Sequence, residues 1–257
     1  MNHTVVRYAA AAVTDVGRKR SSNQDTFGLS AEHGVFLVCD GMGGAAAGEV
    51  ASAIAAEEML RLLCDRDKAG AAPLETLLAE AIRASNQAIL SRAQHNPRLF
   101  GMGTTLVGIA TEGRRAVVFN VGDSRCYRLR APGLPRSEPE PRLLEQITLD
   151  HSLVAEQVRM GRMSRDQAQI SPLHNVITRA LGTEPDVEPD FFALEAEADD
   201  LFLLCSDGLT NELDDARIAS ILAVDLPLDK LCANLVAAAN QAGGRDNITC
   251  LLVRAQS

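Results

Sequence analysis

Tryptophan is absent from the sequence and aromatic residues make up only 4% of it, so no platform of rings is available on which nucleic-acid bases would stack. No block of Lys or Arg is longer than Arg18-Lys19-Arg20, and the net charge is −9 at neutral pH. Without a basic surface to release counterions from a polyanion, no nucleic-acid partner is expected. No apolar run approaches the roughly 18 residues of a membrane span. The run from Tyr8 to Val13 lacks both the basic flank and the length of a signal peptide. A soluble cytoplasmic protein with no membrane association is therefore expected. Also missing is any C-x-x-C pair. Cys39, Cys64, Cys126, Cys205, Cys232 and Cys250 are scattered, and all but Cys126 stand beside Leu, Val or Ala. That is the use of thiol as a small core hydrophobe, not a disulfide framework or a zinc site.

What is present is an apolar content of 46% over 257 residues, enough for one domain with one extended core. Short apolar runs at Val35–Cys39, Thr105–Ala110, Ala116–Val121, Leu201–Cys205 and Ile248–Val253 predict strands. Helical spacing predicts helices over Ala46–Cys64 and Leu74–Leu90, and again where Leu231, Leu235, Ala238 and Ala242 recur. The order is not a regular alternation, because the runs within 105–121 follow one another across Thr111-Glu-Gly-Arg114 like a hairpin. This favours α+β layering, with antiparallel sheets flanked by helices. The Pro-rich stretch Ala131–Pro141 reads as a loop that lengthens a hairpin, since a strand-like run resumes over Leu143–Thr148. From Asp150 to Leu181 short helices are expected, one of them opened by the capping-box pattern Ser164-Arg-Asp-Gln167. This stretch is poor in large apolar residues and suits a flap beside a site. No internal repeat or low-complexity tract is found.

Three apolar runs finish on aspartate: Val35–Cys39 runs into Asp40-Gly41, Val117–Val121 into Gly122-Asp123, and Leu201–Cys205 into Ser206-Asp207-Gly208. Asp25 and Asp246 stand in polar turns, the latter directly before a strand. A single Asp-Gly pair makes a turn after a strand and carries no further meaning. Should all these ends converge, like charges in one small volume would need cations to neutralise them. An all-oxygen donor set without His or Cys suits Mg²⁺ or Mn²⁺ and not Zn²⁺. Spacing alone does not bring the ends together.

The ordered series Arg20-Ser-Ser-Asn-Gln-Asp25, Val38-Cys-Asp-Gly-Met-Gly-Gly44 with Gly48-Glu49 behind it, Gly101-Met-Gly-Thr-Thr105, Val121-Gly-Asp-Ser-Arg125, Asp150-His-Ser152, Val176-Ile-Thr-Arg-Ala-Leu-Gly182, Cys205-Ser-Asp-Gly208 and Arg245-Asp-Asn247 resembles the type 2C metal-dependent protein serine/threonine phosphatases in their bacterial form. Each motif alone is weak; the series, from about residue 9 to residue 253, is specific. The resemblance implies a four-layer α-β-β-α sandwich with a small helical flap at about 150–181, all within a single catalytic domain spanning 1–257. It implies a binuclear Mn²⁺ or Mg²⁺ centre and hydrolysis of phosphoserine and phosphothreonine in proteins. On this chain Asp40 matches the ligand bridging both ions, with the Gly41 carbonyl on one of them. Asp207 and Asp246 match the ligands of the other ion, and Asp25 the residue holding metal-bound water. Asp123, with Asp207, matches the place of a third, weaker ion. Arg20 matches the phosphate-binding arginine, whose guanidinium would hold two phosphate oxygens in line. The implied partners are phosphorylated proteins and a cognate Ser/Thr kinase, the implied state a monomer. In a chain of this size no sensor or membrane anchor is expected.

The sequence also departs from the family pattern. Where many members carry a His in or just after the Asp-Gly-x-Gly-Gly loop, Met42 and Ala45 stand here, so the leaving alkoxide must take its proton from water or another group. His151 is the nearest substitute, in a motif that more often opens a helix. Asn211 replaces a further Asp four residues after Asp207, keeping an oxygen and losing a charge. Ser171-Pro-Leu-His174-Asn175 replaces the commoner His-Pro-x-Arg-Asn, which touches substrate choice. Two other functions remain in view. A phosphatase-like scaffold that binds a regulator would have no need of these acids. A phosphotransferase using Asp40 as nucleophile would want an acid at position 42, where Met42 stands.

Overall fold

The protein was analysed as a computed structural model, which describes residues 6–44, 47–65, 72–130 and 144–256. Its strands are β1 (Arg7–Asp15), β2 (Asp25–Ser30), β3 (Val35–Met42), β4 (Gly103–Thr104), β5 (Leu106–Glu112), β6 (Arg115–Val121), β7 (Arg125–Leu129), β8 (Leu144–Gln146), β9 (Asp190–Glu195), β10 (Leu201–Cys205) and β11 (Ile248–Gln256). Its α-helices are α1 (Ala47–Cys64), α2 (Leu74–Gln94), α3 (Leu153–Arg159), α4 (Arg165–Gln169), α5 (Asp207–Thr210), α6 (Asp215–Leu222) and α7 (Leu228–Ala242). One sheet has the order β1-β11-β10-β7-β8; the other runs β2-β3-β5-β6-β9, with β4 paired to β3. All of these pairings are antiparallel.

The continuous apolar runs have a simple cause: these strands are covered on both faces. In β3, Val35, Leu37 and Cys39 pack under α1 and α2, whereas Phe36 and Val38 point at the other sheet. In β10, Leu201, Leu203 and Cys205 face α6 and α7, whereas Phe202 and Leu204 enter the space between the sheets. The order is therefore helices, sheet, sheet, helices, as the α+β sandwich reading requires. The β5–β6 hairpin turns at Gly113, whose φ of +60° is one that glycine adopts freely.

Besides the two-residue β4, four strands lie outside the apolar runs that predict strands. Three of them, β1, β2 and β9, lie at sheet edges; β1 is nearly half alanine, whereas β9 packs Phe191, Phe192 and Leu194 against the cores. The fourth, β7, is interior but carries Arg125 and Arg128, each neutralised by its own carboxylate, Asp150 and Glu145. The expected helix over Ala46–Cys64 is seen from Ala47; Ala45 and Ala46 lie outside the described residues, as does Ala131–Pro141. The hairpin expected around that Pro-rich stretch is seen in its arms, β7 and β8, which pair with Leu129 opposite Leu144. Helix α4 has the capping box foreseen at Ser164 and Gln167. The six cysteines are free, and all but Cys64 are fully buried. Among the described residues no helix is long and apolar enough to cross a membrane.

Burial between the sheets should dominate stability. Phe202→Ala, at a side chain with no exposure, is expected to cost about 3–5 kcal/mol in urea unfolding. The same change at Phe100, 87% exposed, should stay within about 0.5 kcal/mol.

Candidate metal centre

The direction of the strands brings the acids together. β3 and β6 run toward one end of their sheet, β3 carrying Asp40 near its end at Met42 and β6 stopping just before Asp123, while β2 leaves the same end at Asp25, which stands opposite Asp40 in the register. In the second sheet Cys205 pairs with both Arg125 and Cys250. Asp207, leaving β10, is therefore at the same end as Asp123, preceding β7, and Asp246, preceding β11. Side-chain bonds then tie the two sheet ends to each other. Ser206, fully buried, donates its hydroxyl to Asp25 Oδ2 at 2.8 Å and accepts from the Thr249 N–H at 3.0 Å. Thr105 Oγ1 accepts from the Asp40 N–H at 3.0 Å and meets Ser124 Oγ at 2.7 Å.

The backbone beside Asp40 leaves no room for a side chain. A Cβ on Gly41 would stand 2.1 Å from the Gly48 carbonyl oxygen and 2.6 Å from that of Gln24. Glycine here lets the start of α1 approach the end of β3. Asn247 closes the opposite side: its Nδ2 donates to the Val16 and Ser22 carbonyls, and its Oδ1 accepts from the Gln24 N–H. The turn carrying Arg20 is thereby pinned to the turn carrying Asp246. Arg20 Nη2 donates to Asp246 Oδ2 at 2.6 Å.

Crowding and burial hold these acids in favour of their protons. Desolvation first, then hydrogen bonds and the charges of Asp207 and Asp246, leave Asp25 at about 6. Asp123 is pushed up to about 8 by desolvation, with Asp207 and Asp150 adding to it. Asp40 rises well above the usual carboxylate range for the same leading reason, with Asp25, Asp207, Asp123 and Asp246 contributing charge. Asp207 is raised by burial and by Asp246, and lowered by its hydrogen bond with Asp40.

The family model for protein phosphatase 2C matches residues 16–252. The serine/threonine phosphatase Stp of Listeria innocua is 40% identical over 248 residues, covering 93% of each chain. The protein phosphatase PhpP of Streptococcus pneumoniae is 36% identical over 94% of this chain and 95% of its own. The chain belongs to the protein phosphatase 2C family. The crystal structure of the Mycobacterium tuberculosis serine/threonine phosphatase PstP/Ppp superposes with a TM-score of 0.86 at 36% identity, over 99% of this chain and 100% of that one. The catalytic domain of PstP in complex with 2 manganese ions gives 0.84 at 34% identity, over 98% of this chain and 100% of that one. The protein is accordingly a serine/threonine protein phosphatase.

The donor set of this phosphatase fits hard divalent ions. It is all carboxylate and carbonyl oxygen, and Asp25 Oδ1 is buried with no hydrogen-bond partner among the described residues. As the side chains stand, no three of the described His, Cys, Asp and Glu groups form a ready chelate. Two of the acids have protein partners: Asp246 Oδ2 accepts from Arg20, and Asp207 Oδ2 accepts from Asn211 Nδ2 at 3.0 Å. Asn211 thus presents its amide N–H₂, not its oxygen, to Asp207. His151 is not arranged as a proton donor to a leaving group. Its Nδ1 accepts from the Gly122 N–H at 3.1 Å and its Nε2 faces Asp190 at 3.1 Å, so the buried ring braces the turn before Asp123. Ala45 lies outside the described residues. Sequence reading gave no part to Ser206, Thr105 or Asn247 individually, although all three stand inside the motifs it singled out.

A carboxyl with a higher pKa in the fold than in the unfolded chain favours the fold below its unfolded value. That advantage is lost as pH rises through the folded value. For Asp25 the window closes near pH 6 and for Asp123 near pH 8. In chelator, the melting temperature is therefore expected to fall as pH is raised from about 5 to about 9, and Asp123→Asn should flatten the upper half of that slope. A thermal-shift series across pH reads both effects.

Proposed function

We propose that this phosphatase hydrolyses phosphoserine and phosphothreonine in proteins by water attack at a binuclear Mn²⁺ or Mg²⁺ centre. The observation that carries the reading is the gathering of Asp25, Asp40, Asp123, Asp207 and Asp246 at one end of both sheets, where burial and crowding raise the proton affinities of Asp25, Asp40, Asp123 and Asp207. Asp40 and the Gly41 carbonyl would hold one ion, and Asp40 with Asp207 and Asp246 the other. Asp25 would orient the attacking water and accept its proton; its unpartnered Oδ1 supports that role. Asp123 with Asp207 would offer a third, weaker place, and Asn211 removes a charge there. When bound, paired divalent ions lower the pKa of water and offset charge on the phosphoryl oxygens.

Arg20 presents a half-exposed guanidinium at the rim, engaged through Nη2 with Asp246. A planar fork of donors at that place suits two phosphate oxygens and would orient the phosphoryl group. No covalent phosphoenzyme is required, and the leaving alkoxide takes its proton from water, since both ring nitrogens of His151 are committed. The same reading includes one catalytic domain with residues 150–181 as a flap, a monomeric state, a cytoplasmic location and a cognate kinase that supplies the phosphorylated substrates.

Hydrolysis of a phosphothreonine peptide is expected with Mn²⁺ and not with chelator. Asp207→Ala should lower kcat/KM by at least about a hundredfold, and Arg20→Ala should raise KM more than it lowers kcat. Turnover that survives full chelation overturns the ion centre. Phosphopeptide binding without turnover, equal in wild type and Asp207→Ala, points to a scaffold instead.

A further inference from the structure

Glu212 follows directly after Asn211 at the end of α5, and its side chain is only 1% exposed. A carboxylate so far from water must be paired. Its partner is Arg245, the neighbour of Asp246. Glu212 Oε1 accepts from the Arg245 backbone N–H at 2.9 Å and from Nε at 3.0 Å, and Oε2 accepts from Nη2 at 3.2 Å. The loop ahead of Asp246 begins with Gly243 and Gly244, the latter at a φ of +55°. Backbone bonds hold the start of this loop, the Gly243 and Gly244 N–H groups donating to the Ala239 carbonyl at 3.1 Å and the Gly244 carbonyl accepting from the Arg18 N–H at 2.7 Å. Glu212 packs against the loop so closely that a Cβ on Gly243 would stand 2.7 Å from Oε2.

Two arginines therefore border Asp246, and they are disposed differently. Arg20 donates to Asp246 itself, whereas Arg245, 73% exposed, is folded back onto Glu212. Released from Glu212, a mobile guanidinium one residue from Asp246 would settle on the half-buried carboxylates and compete with divalent ions for them. From this arrangement, and resting on the ion-centre reading above, we infer that Glu212 is a positioning residue of the centre. It holds the Arg245 guanidinium off the carboxylate cluster and fixes the backbone that presents Asp246.

Calorimetric titration of the full chain with Mn²⁺ alone tests this without reading activity. Glu212→Gln is expected to weaken Mn²⁺ binding by about tenfold, the scale of lost partners around metal ligands. Adding Arg245→Ala to that variant should recover at least about threefold, because the competing charge is gone. Such rescue is not expected of a residue that only supports the fold. Mn²⁺ affinity equal to wild type in Glu212→Gln overturns the inference, as does a double variant no tighter than the single one. Glu212→Asp, which shortens the same grip, replaces the Gln variant if that one does not fold, with the same two outcomes. Wild type that binds no Mn²⁺ overturns the ion centre itself and this inference with it. Wild-type binding with unaltered variants overturns the inference alone.

Discussion

Mutual repulsion among carboxylates forced into one partly dry volume is the constraint that organises this molecule. Each of Asp25, Asp40, Asp123 and Asp207 would be cheap alone in water. Together they are pushed toward their protonated forms by lost hydration and by one another. A fold that tolerates this must supply rigidity from elsewhere, and it does so with antiparallel strands buried on both faces. The apolar interior fixes where the strands end, and the strand ends fix where the charge accumulates.

The bonds that tie the two sheets at this end are few and polar. Ser206 links Asp25 to Thr249, Thr105 links Asp40 to Ser124, and Asn247 joins the turn of Arg20 to that of Asp246. None of these groups is charged, so none adds to the repulsion. Glycine contributes by having no side chain. The Gly41–Gly48 contact lets a helix start against the strand end, and a Cβ on Gly208 would meet the Asn247 carbonyl oxygen at 2.0 Å. The positive charge nearest the cluster is placed as deliberately: Arg20 on Asp246, Arg125 clamped by Asp150, Arg245 by Glu212.

The central strands and long helices were legible because burial on two faces writes an uninterrupted apolar run, and burial on one helical face writes a 3.6-residue period. Edge strands such as β1, built largely of alanine, and β7, with its paired arginines, carry no such signature. The acids were visible as Asp residues at strand ends and in the turns before strands, and the motif series marked them as candidates for one site. What sequence alone did not contain was partnership. Nothing in the spelling of Asp150-His-Ser152 says that His151 has both ring nitrogens engaged, or that Asn211 turns its N–H₂ toward Asp207. Those choices depend on which groups three-dimensional packing leaves within about 3 Å of one another.

The β5–β6 hairpin turn at Gly113 lies at the end of the sandwich remote from the carboxylates. It is exposed from Glu112 to Arg115, and the Gly113 carbonyl is anchored by the Tyr8 hydroxyl at 2.9 Å. Strand length thus separates a chemical pole from a mechanical one. A fluorophore, an affinity tag or a fused partner grafted onto that remote turn would ride on a firm base a full strand away from the reacting end. The architecture thereby offers a handle for immobilisation or imaging that leaves the acidic mouth open to its solution.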